Sequence, residues 1–417
     1  MFTIYNAMKK LSKFNIIKPL ENGEYIVFNT FNSNLSIFKS KEDYKQYDEY
    51  LTEIDELKLL KKIRKDEENS SDYAHYTIFM TTACNARCDY CFEKSGNKLS
   101  LTRDTINKII DFIKKESKKY KQIHIEFFGG EPLLYFENIK FISKSLMDFC
   151  NKNKIKYTSN IVTNASLLSK EIINELKDLE IINIQVTLDG TKKEYEKRKN
   201  YIEVHDAYEL VLKNIEQALK ENLNVSVRIN FDKENFDDIM ELLNNISYLN
   251  KYNNFYCYVM PIYSNNNLDK NLVLNNEINK YFEKLFYHMI DLGYIKSEKY
   301  FRLKKVSNYC NAVRKNSYVF YPNGDIFKCT HLTTKKDCVG NVNSFEDINY
   351  KANKYSNIIL KDKCEKCKFL PLCQGGCVAN KNENSCSTNC YIYKDSINAV
   401  LNSILKLNNI NVRIKEK

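Results

Sequence analysis

The sequence predicts an α/β chain: a partial (β/α)6 TIM-like barrel, a small α+β module before it and a cysteine-rich region after it. Three observations predict this. Between His75 and about Leu292, apolar strand-like runs alternate six times with stretches of helical periodicity, the pattern of parallel strands joined by helical crossovers. Residues 1–62 read as short strands and amphipathic helices, followed by the polar stretch Arg64–Ser71, which reads as a linker. Nine of the fourteen cysteines lie between Cys310 and Cys390 in a loop-rich segment. The boundaries that follow are 1–72, 73–300 and 301–417.

In the first module, Tyr25–Phe28 and Leu35–Phe38 suit two strands with Asn32-Ser33-Asn34 as their turn, and Lys41–Leu51 and Ile54–Arg64 read as helices. The barrel strands are Tyr76–Met80, Ile123–Phe128, Lys156–Thr163, Ile182–Leu188, Val225–Phe231 and Phe255–Ile262. The helices lie near Thr102–Lys118, Asn138–Asn151, Ser169–Leu179, Ala207–Asn222, Asn235–Tyr248 and Asn275–Asp291. Right-handed crossovers curl such units toward a barrel whose chemistry sits at the C-terminal strand ends. In the last region, Tyr318–Tyr321 and Ile326–Cys329 form a hairpin around Pro322-Asn323-Gly324-Asp325, and Ser396–Leu407 is a closing amphipathic helix.

The 417 residues are 43% hydrophobic and 28% charged. That supports a sizeable core and two or three domains, and excludes long disorder and collagen-like structure. No apolar run approaches the roughly 20 residues of a membrane span, and the first residues carry no signal-peptide pattern. A cytoplasmic protein with no membrane partner is expected. The 64 Lys+Arg against 53 Asp+Glu give +11. These charges are scattered over helices that also carry acids, so a solvated face is expected rather than a nucleic-acid site. In such a chain fourteen cysteines point to metal or catalytic use, not to disulfides.

The first barrel strand runs into Cys84-Asn85-Ala86-Arg87-Cys88-Asp89-Tyr90-Cys91. Three thiolates on a four-iron cluster leave one iron without a protein ligand, as a catalytic cluster needs; a closed zinc site would want four ligands. Two glycines at Gly129-Gly130 allow close backbone approach, and Glu131 could pair with an ammonium. C-x3-C-x2-C with an aromatic before the last cysteine resembles the signature of the radical S-adenosylmethionine enzymes, and Gly129-Gly130-Glu131-Pro132 resembles their GGEP segment. The resemblance implies that Cys84, Cys88 and Cys91 hold a [4Fe–4S] cluster. It places Tyr90, Gly129, Gly130, Glu131 and Asn164 beside S-adenosylmethionine, and pairs Arg198 with the cofactor carboxylate. Thr163-Asn164-Ala165 and Thr187-Leu188-Asp189-Gly190 are similar to family segments lining the nucleoside and substrate side, and Asp189 is the candidate catalytic carboxylate. Arg228 and Asn230 are weaker interior candidates. The implied chemistry is reductive cleavage of the cofactor to a 5′-deoxyadenosyl radical, which abstracts a hydrogen atom from substrate.

Cys364-x2-Cys367-x5-Cys373-x3-Cys377 permits a zinc ribbon by spacing alone, but there are too many cysteines for one zinc. The field resembles the SPASM extension of the same enzymes, with two auxiliary four-iron clusters. By that resemblance Cys310, Cys329 and Cys377 belong to one, and Cys364, Cys367, Cys373 and Cys390 to the other. The fourth ligand of the first is Cys338 or an open position, and Cys386 is the alternative to Cys390. Cys150 and Cys257 read as core residues.

Enzymes of this architecture mostly modify peptides or proteins. The N-terminal module resembles a RiPP recognition element, whose strand edge accepts a leader peptide, which favours a maturase that installs a crosslink in a ribosomally made precursor. The alternatives are an anaerobic sulfatase-maturating enzyme that forms formylglycine, and a zinc-binding interaction protein. An acidic flavodoxin or ferredoxin is the expected electron donor to this basic chain.

Overall fold

A computed structural model describes residues 9–70, 72–91, 93, 98–262, 272–273, 277–303, 310–344, 348, 351–352, 355, 360–378 and 394–415. Strands β1 (Lys10–Leu11), β2 (Asn15–Pro19), β3 (Tyr25–Asn29), β4 (Leu35–Phe38) and β5 (Leu51–Thr52) come first, then helix α1 (Glu56–Glu68). Six strand–helix units follow. They are β6 (Tyr73–Phe79) with α2 (Arg103–Ser117), β7 (Gln122–Phe128) with α3 (Phe136–Asn153) and β8 (Lys156–Thr163) with α4 (Lys170–Asp178). Next are β9 (Ile181–Thr187) with α5 (Lys192–Lys199) and α6 (Ala207–Lys220), β10 (Asn224–Phe231) with α7 (Phe236–Asn245), and β11 (Phe255–Pro261) with α8 (Ile278–Asp291). The chain ends with β12 (Ser317–Phe320), β13 (Asp325–Phe327), β14 (Gly340–Asn341), α9 (Asp362–Glu365), α10 (Leu370–Cys373) and α11 (Ile397–Leu407).

Contacts divide the chain into two compact units. One joins residues 70–273 with 311–356; the other joins 1–69, 274–310 and 357–417.

The first unit holds a sheet of order β11-β10-β9-β8-β7-β6-β12-β13-β14. Strands β6 to β11 are parallel to their neighbours, the partial barrel. β12 also pairs with β6 in parallel, and β13 and β14 follow antiparallel. The hairpin of the cysteine-rich region is therefore part of the barrel sheet. Alternation along β7 buries Ile123, Ile125 and Phe127 completely. Helix α2 answers with Ile106, Ile109, Ile110 and Ile113, at the spacing of one helical face. Side-chain caps start the helices where expected: Thr102 accepts from Thr105 N–H at 3.2 Å and Ser169 from Ile172 N–H at 3.3 Å.

The second unit centres on the antiparallel sheet β2-β3-β4. Val27 and Phe38 pack with Tyr44 and Tyr50. Ile16, Leu20, Ile26 and Phe28 pack with Ile397, Leu401 and Leu405 of α11.

Two local expectations change, and one helix was not expected at all. Lys41–Leu51 is not one helix but two 3-10 turns, Asp43–Gln46 and Asp48–Tyr50. Tyr44, Tyr47 and Tyr50 recur every third residue, the period of that tighter helix. The expected linker is largely helical, because α1 runs to Glu68 with Asp55 as its cap. Helix α5 has no apolar periodicity (KKEYEKRK) and escapes a hydrophobic-pattern reading. No helix among the described residues is long and apolar enough to cross a membrane.

Candidate active site

The cysteine loop leaves the C-terminal end of β6, and the segment after β7 continues the ladder beside it. Met80 N–H donates to Phe128 O, Gly130 N–H to Thr81 O and Glu131 N–H to Ala83 O, each at 2.9 Å. Both glycines are dictated by this approach. A methyl on Gly129 would lie 2.3 Å from Thr81 O, and one on Gly130 2.2 Å from Ala83 O; Gly129 also has φ +125°. The glycines face the backbone that leads into the cysteines.

Glu131 is fully buried. Its carboxylate accepts from Leu133 N–H at 3.0 Å, Thr163 Oγ1 at 2.7 Å and Asn164 N–H at 2.8 Å. Burial pushes its carboxyl above the ordinary range despite these bonds. Both oxygens are thus engaged within the chain, tying the end of β8 to the segment after β7. Asn164 in turn donates to Asn85 Oδ1 at 2.8 Å and to Cys84 Sγ at 3.8 Å.

The other side of the loop is clasped by the end of α5. Arg87 N–H donates to Lys199 O and Ile202 N–H to Asn85 O, each at 2.8 Å. The side chain of Lys199, 3% exposed, returns to the same loop: its Nζ lies 2.8 Å from the Tyr90 hydroxyl and 2.9 Å from Asp189 Oδ2. Tyr90 donates to that same Oδ2. Asp189 Oδ1 accepts from Asn230 N–H and Nδ2, both at 3.1 Å. Burial, then the neighbouring Asp189 carboxylate, hold the Tyr90 hydroxyl well above its ordinary value. Burial works against the Lys199 charge, but Asp189 and Tyr90 outweigh it and the ammonium is held well above its ordinary value.

Arg198 points elsewhere. It makes a two-pronged bond to Asp232, at 2.8 and 3.0 Å, and pairs with Glu194. Burial opposes its charge, and these carboxylates more than restore it. Lys199, which sequence reasoning passed over, is the cation that meets the cysteine loop. Its only sequence signal was its place beside Arg198. Arg228 Nε donates to Asn230 Oδ1 at 2.8 Å, linking it to the Asp189 group.

The donor set suits a cluster. Ala86 N–H donates to Cys84 Sγ at 3.4 Å, and N–H bonds to sulfur are a lever on iron–sulfur centres. Among the described residues no group of three His, Cys, Asp or Glu side chains could hold a single ion, which needs sulfurs within about 2.3 Å. The three thiols lie within eight residues of one loop, and three thiolates on a four-iron cluster leave one iron open. Burial pushes the Cys84 thiol up to about 11 and raises Cys91.

In the cysteine-rich region, His331 N–H donates to Cys329 Sγ at 3.4 Å, repeating the Cys84 arrangement. Burial first, then Asp337, Cys329 and Cys338, push the Tyr355 hydroxyl up to about 12. Cys310 and Cys377 fall in the other unit from Cys329. Cys364, Cys367 and Cys373 share one short turn system around α9 and α10. Cys386 and Cys390 lie outside the described residues. Cys150 and Cys257 are buried in α3 and β11.

Residues 78–246 match the Radical SAM superfamily. The chain is 25% identical over 332 residues to the radical SAM cyclopropyl synthase TigE of Paramaledivibacter caminithermalis, covering 72% of this chain and 67% of that protein. It is 24% identical over 337 residues to the cysteine-type anaerobic sulfatase-maturating enzyme of Clostridium novyi, covering 72% and 86%. Among solved structures, native anSMEcpe with bound AdoMet matches with a TM-score of 0.64 at 18% identity, over 81% of this chain and 100% of that one. Streptococcus suis SuiB bound to precursor peptide SuiA matches with a TM-score of 0.54 at 16% identity, over 89% and 96%. These two likenesses show a shared fold. The chain spans between 38% and 67% of the length of the first curated relatives it matches. The chain thus carries a Radical SAM domain over residues 78–246, a match that implies a [4Fe–4S] cluster and S-adenosylmethionine as its cofactors.

Proposed function

We propose that the chain is a radical SAM peptide maturase that installs a crosslink, a thioether or similar bond, in a ribosomally made precursor. One observation carries this: the chain holds two cysteine turns of the same local form. Cys91 N–H donates to Cys88 O at 3.2 Å, and Cys367 N–H to Cys364 O at 3.0 Å. The first turn sits at the barrel rim, and the second packs on the N-terminal module. TigE is named a cyclopropyl synthase and SuiB was solved with a precursor peptide, which supports a peptide as the substrate class.

In this reading Cys84, Cys88 and Cys91 hold the SAM-binding cluster. When bound there, the cluster and S-adenosylmethionine would supply the radical chemistry for hydrogen-atom abstraction. The rest is positioning by the chain. Glu131 fixes Thr163 and Asn164, which borders the cofactor with Tyr90 and Gly129-Gly130. Arg198 is committed to Asp232, and Lys199 instead braces the cysteine loop through Tyr90. Asp189 acts as a positioning residue rather than as a proton acceptor, since Tyr90, Lys199 and Asn230 occupy its oxygens. Cys364, Cys367 and Cys373, with Cys390, serve an auxiliary cluster. An acidic flavodoxin or ferredoxin delivers the electron.

The second reading, formylglycine formation on a sulfatase, is favoured by the coverage of 86% of the Clostridium novyi enzyme. The test is anaerobic reconstitution with reductant, S-adenosylmethionine and, in parallel, a short cysteine-rich peptide and a sulfatase peptide. A hydrogen-deficient, crosslinked precursor is the expected product. No 5′-deoxyadenosine under any condition overturns the enzyme assignment; formylglycine in the sulfatase peptide alone overturns the maturase reading.

A further inference from the structure

The N-terminal module and the second cysteine turn are packed as one body. Leu60 of α1, Phe14, Phe31 and Leu370 of α10 share a core, and Cys364 and Leu360 pack against it. Three polar links join the same parts. Lys13 Nζ donates to Glu365 O at 3.1 Å, Thr30 Oγ1 donates to Lys368 O at 2.5 Å, and Lys61 Nζ pairs with Glu365 at 2.5 Å. The loop from Cys364 to Cys373 is therefore shaped by the opposite end of the chain.

Arg64 lies three residues beyond Lys61 on α1, on the same side of the helix, and is 6% exposed. Its guanidinium reaches the turn between Cys373 and Cys377. A methyl placed on Gly375 would lie 3.7 Å from Arg64 Nη1 and 2.9 Å from Leu360 Cδ2, and Gly375 has φ +91°. A glycine is favoured there by backbone conformation; the end of the Leu360 side chain is the nearest neighbour, and Arg64 of the N-terminal module lies at ordinary contact distance behind it.

We propose that Arg64 is a positioning residue for the auxiliary cluster held by Cys364, Cys367 and Cys373, and that through it the N-terminal module sets that cluster's reduction potential. This rests on reading those cysteines as iron ligands. A thiolate-bound four-iron cluster is anionic, and reduction adds one more negative charge. A buried guanidinium beside the turn acts in a low effective dielectric and favours the reduced form. Charge and hydrogen bonding near the sulfurs are the protein's levers on such potentials. The planar fork of arginine holds its charge in one place better than a flexible ammonium.

The test uses the full-length chain carrying Cys84→Ala, Cys88→Ala and Cys91→Ala, so that all bound iron is auxiliary. In that background Arg64→Met and Arg64→Lys are compared by iron and sulfide content and by a redox titration followed by electron paramagnetic resonance. At the parent's midpoint, Arg64→Met is expected to lower the ratio of reduced to oxidised cluster at least tenfold, which is 59 mV for one electron. Arg64→Lys is expected to recover most of that shift. Loss of the auxiliary iron from a folded Arg64→Met chain, with Arg64→Lys retaining it, supports the same role. Wild-type iron and potential in both variants overturn the proposal, and so does an equal shift in both, because Lys keeps the charge. No iron in the parent background instead overturns the cluster reading on which the proposal stands.

Discussion

Lys199 lies 2.8 Å from the hydroxyl of Tyr90 while its own carbonyl accepts the N–H of Arg87 at 2.8 Å. One residue at the end of α5 thus holds the cysteine loop twice, by main chain and by side chain. The ammonium is buried against Asp189, so the loop, the end of β9 and α5 are joined through a charge pair shielded from water.

Removing one member of such a pair leaves the other buried and uncompensated, at about 3–5 kcal/mol. Lys199→Met is therefore expected to lower the urea midpoint by that order of free energy. Lys199→Met with Asp189→Asn should be more stable than Lys199→Met alone, because the orphaned carboxylate is gone. Equilibrium denaturation of the three variants checks both statements.

Asp189→Asn also separates two roles. A positioning residue affects cofactor cleavage and product formation together. A proton acceptor affects product formation while 5′-deoxyadenosine continues to appear. Parallel quantification of both products is expected to show a common decline.

Gly130→Ala should displace the cysteine loop, because its methyl would meet Ala83 O at 2.2 Å. Ala83 O belongs to the backbone and not to the end of a flexible side chain, so the backbone must shift. The expected outcome is a folded protein that loses the iron of the first loop and keeps its auxiliary iron, read from metal content and visible absorbance.

Glu126 on β7 gives a pH prediction. It sits between Thr77 and Asn160 in the register of β6, β7 and β8 and accepts from Thr77 Oγ1 at 3.0 Å and Asn160 Nδ2 at 3.2 Å. Burial opposes its charge, but His75, Asn160 and Thr77 overcome this and hold the carboxyl at about 2, below its ordinary 4.5. A carboxyl depressed on folding stabilises above its unfolded value, and that contribution is lost as pH falls toward the folded one. Glu126→Gln should therefore destabilise the chain at pH 5, on the order of 3 kcal/mol. The difference should narrow as pH falls from about 4.5 toward 2. Thermal midpoints of the two chains from pH 5 downward check this; an unchanged difference there contradicts it.

The six strand–helix units were legible because each is a local pattern. Lys156–Thr163 is the observed β8 residue for residue, and the final helix differs by one position. The cysteine loop was legible for the same reason, since its spacing is contained in eight residues. The pairing of β12 with β6 was not, because no local pattern tells which strand accepts a hairpin. Nor was α5, whose residues carry no apolar stripe and which is capped from α7, where Asp238 accepts from Thr191 N–H at 2.7 Å.

Sequence alone determined the kind of site: three thiols at the end of a strand, two glycines where backbones meet, and a second cysteine field far down the chain. These follow from spacing and from the chemistry of single residues. Tertiary structure alone decided which of two adjacent cations meets the loop. Consecutive helical residues point about 100° apart, so Arg198 turns to Asp232 and Lys199 to Tyr90. It also joined the N-terminal module to the last cysteine turn, because burial of Phe14, Leu60 and Leu370 in one core depends on packing between distant segments.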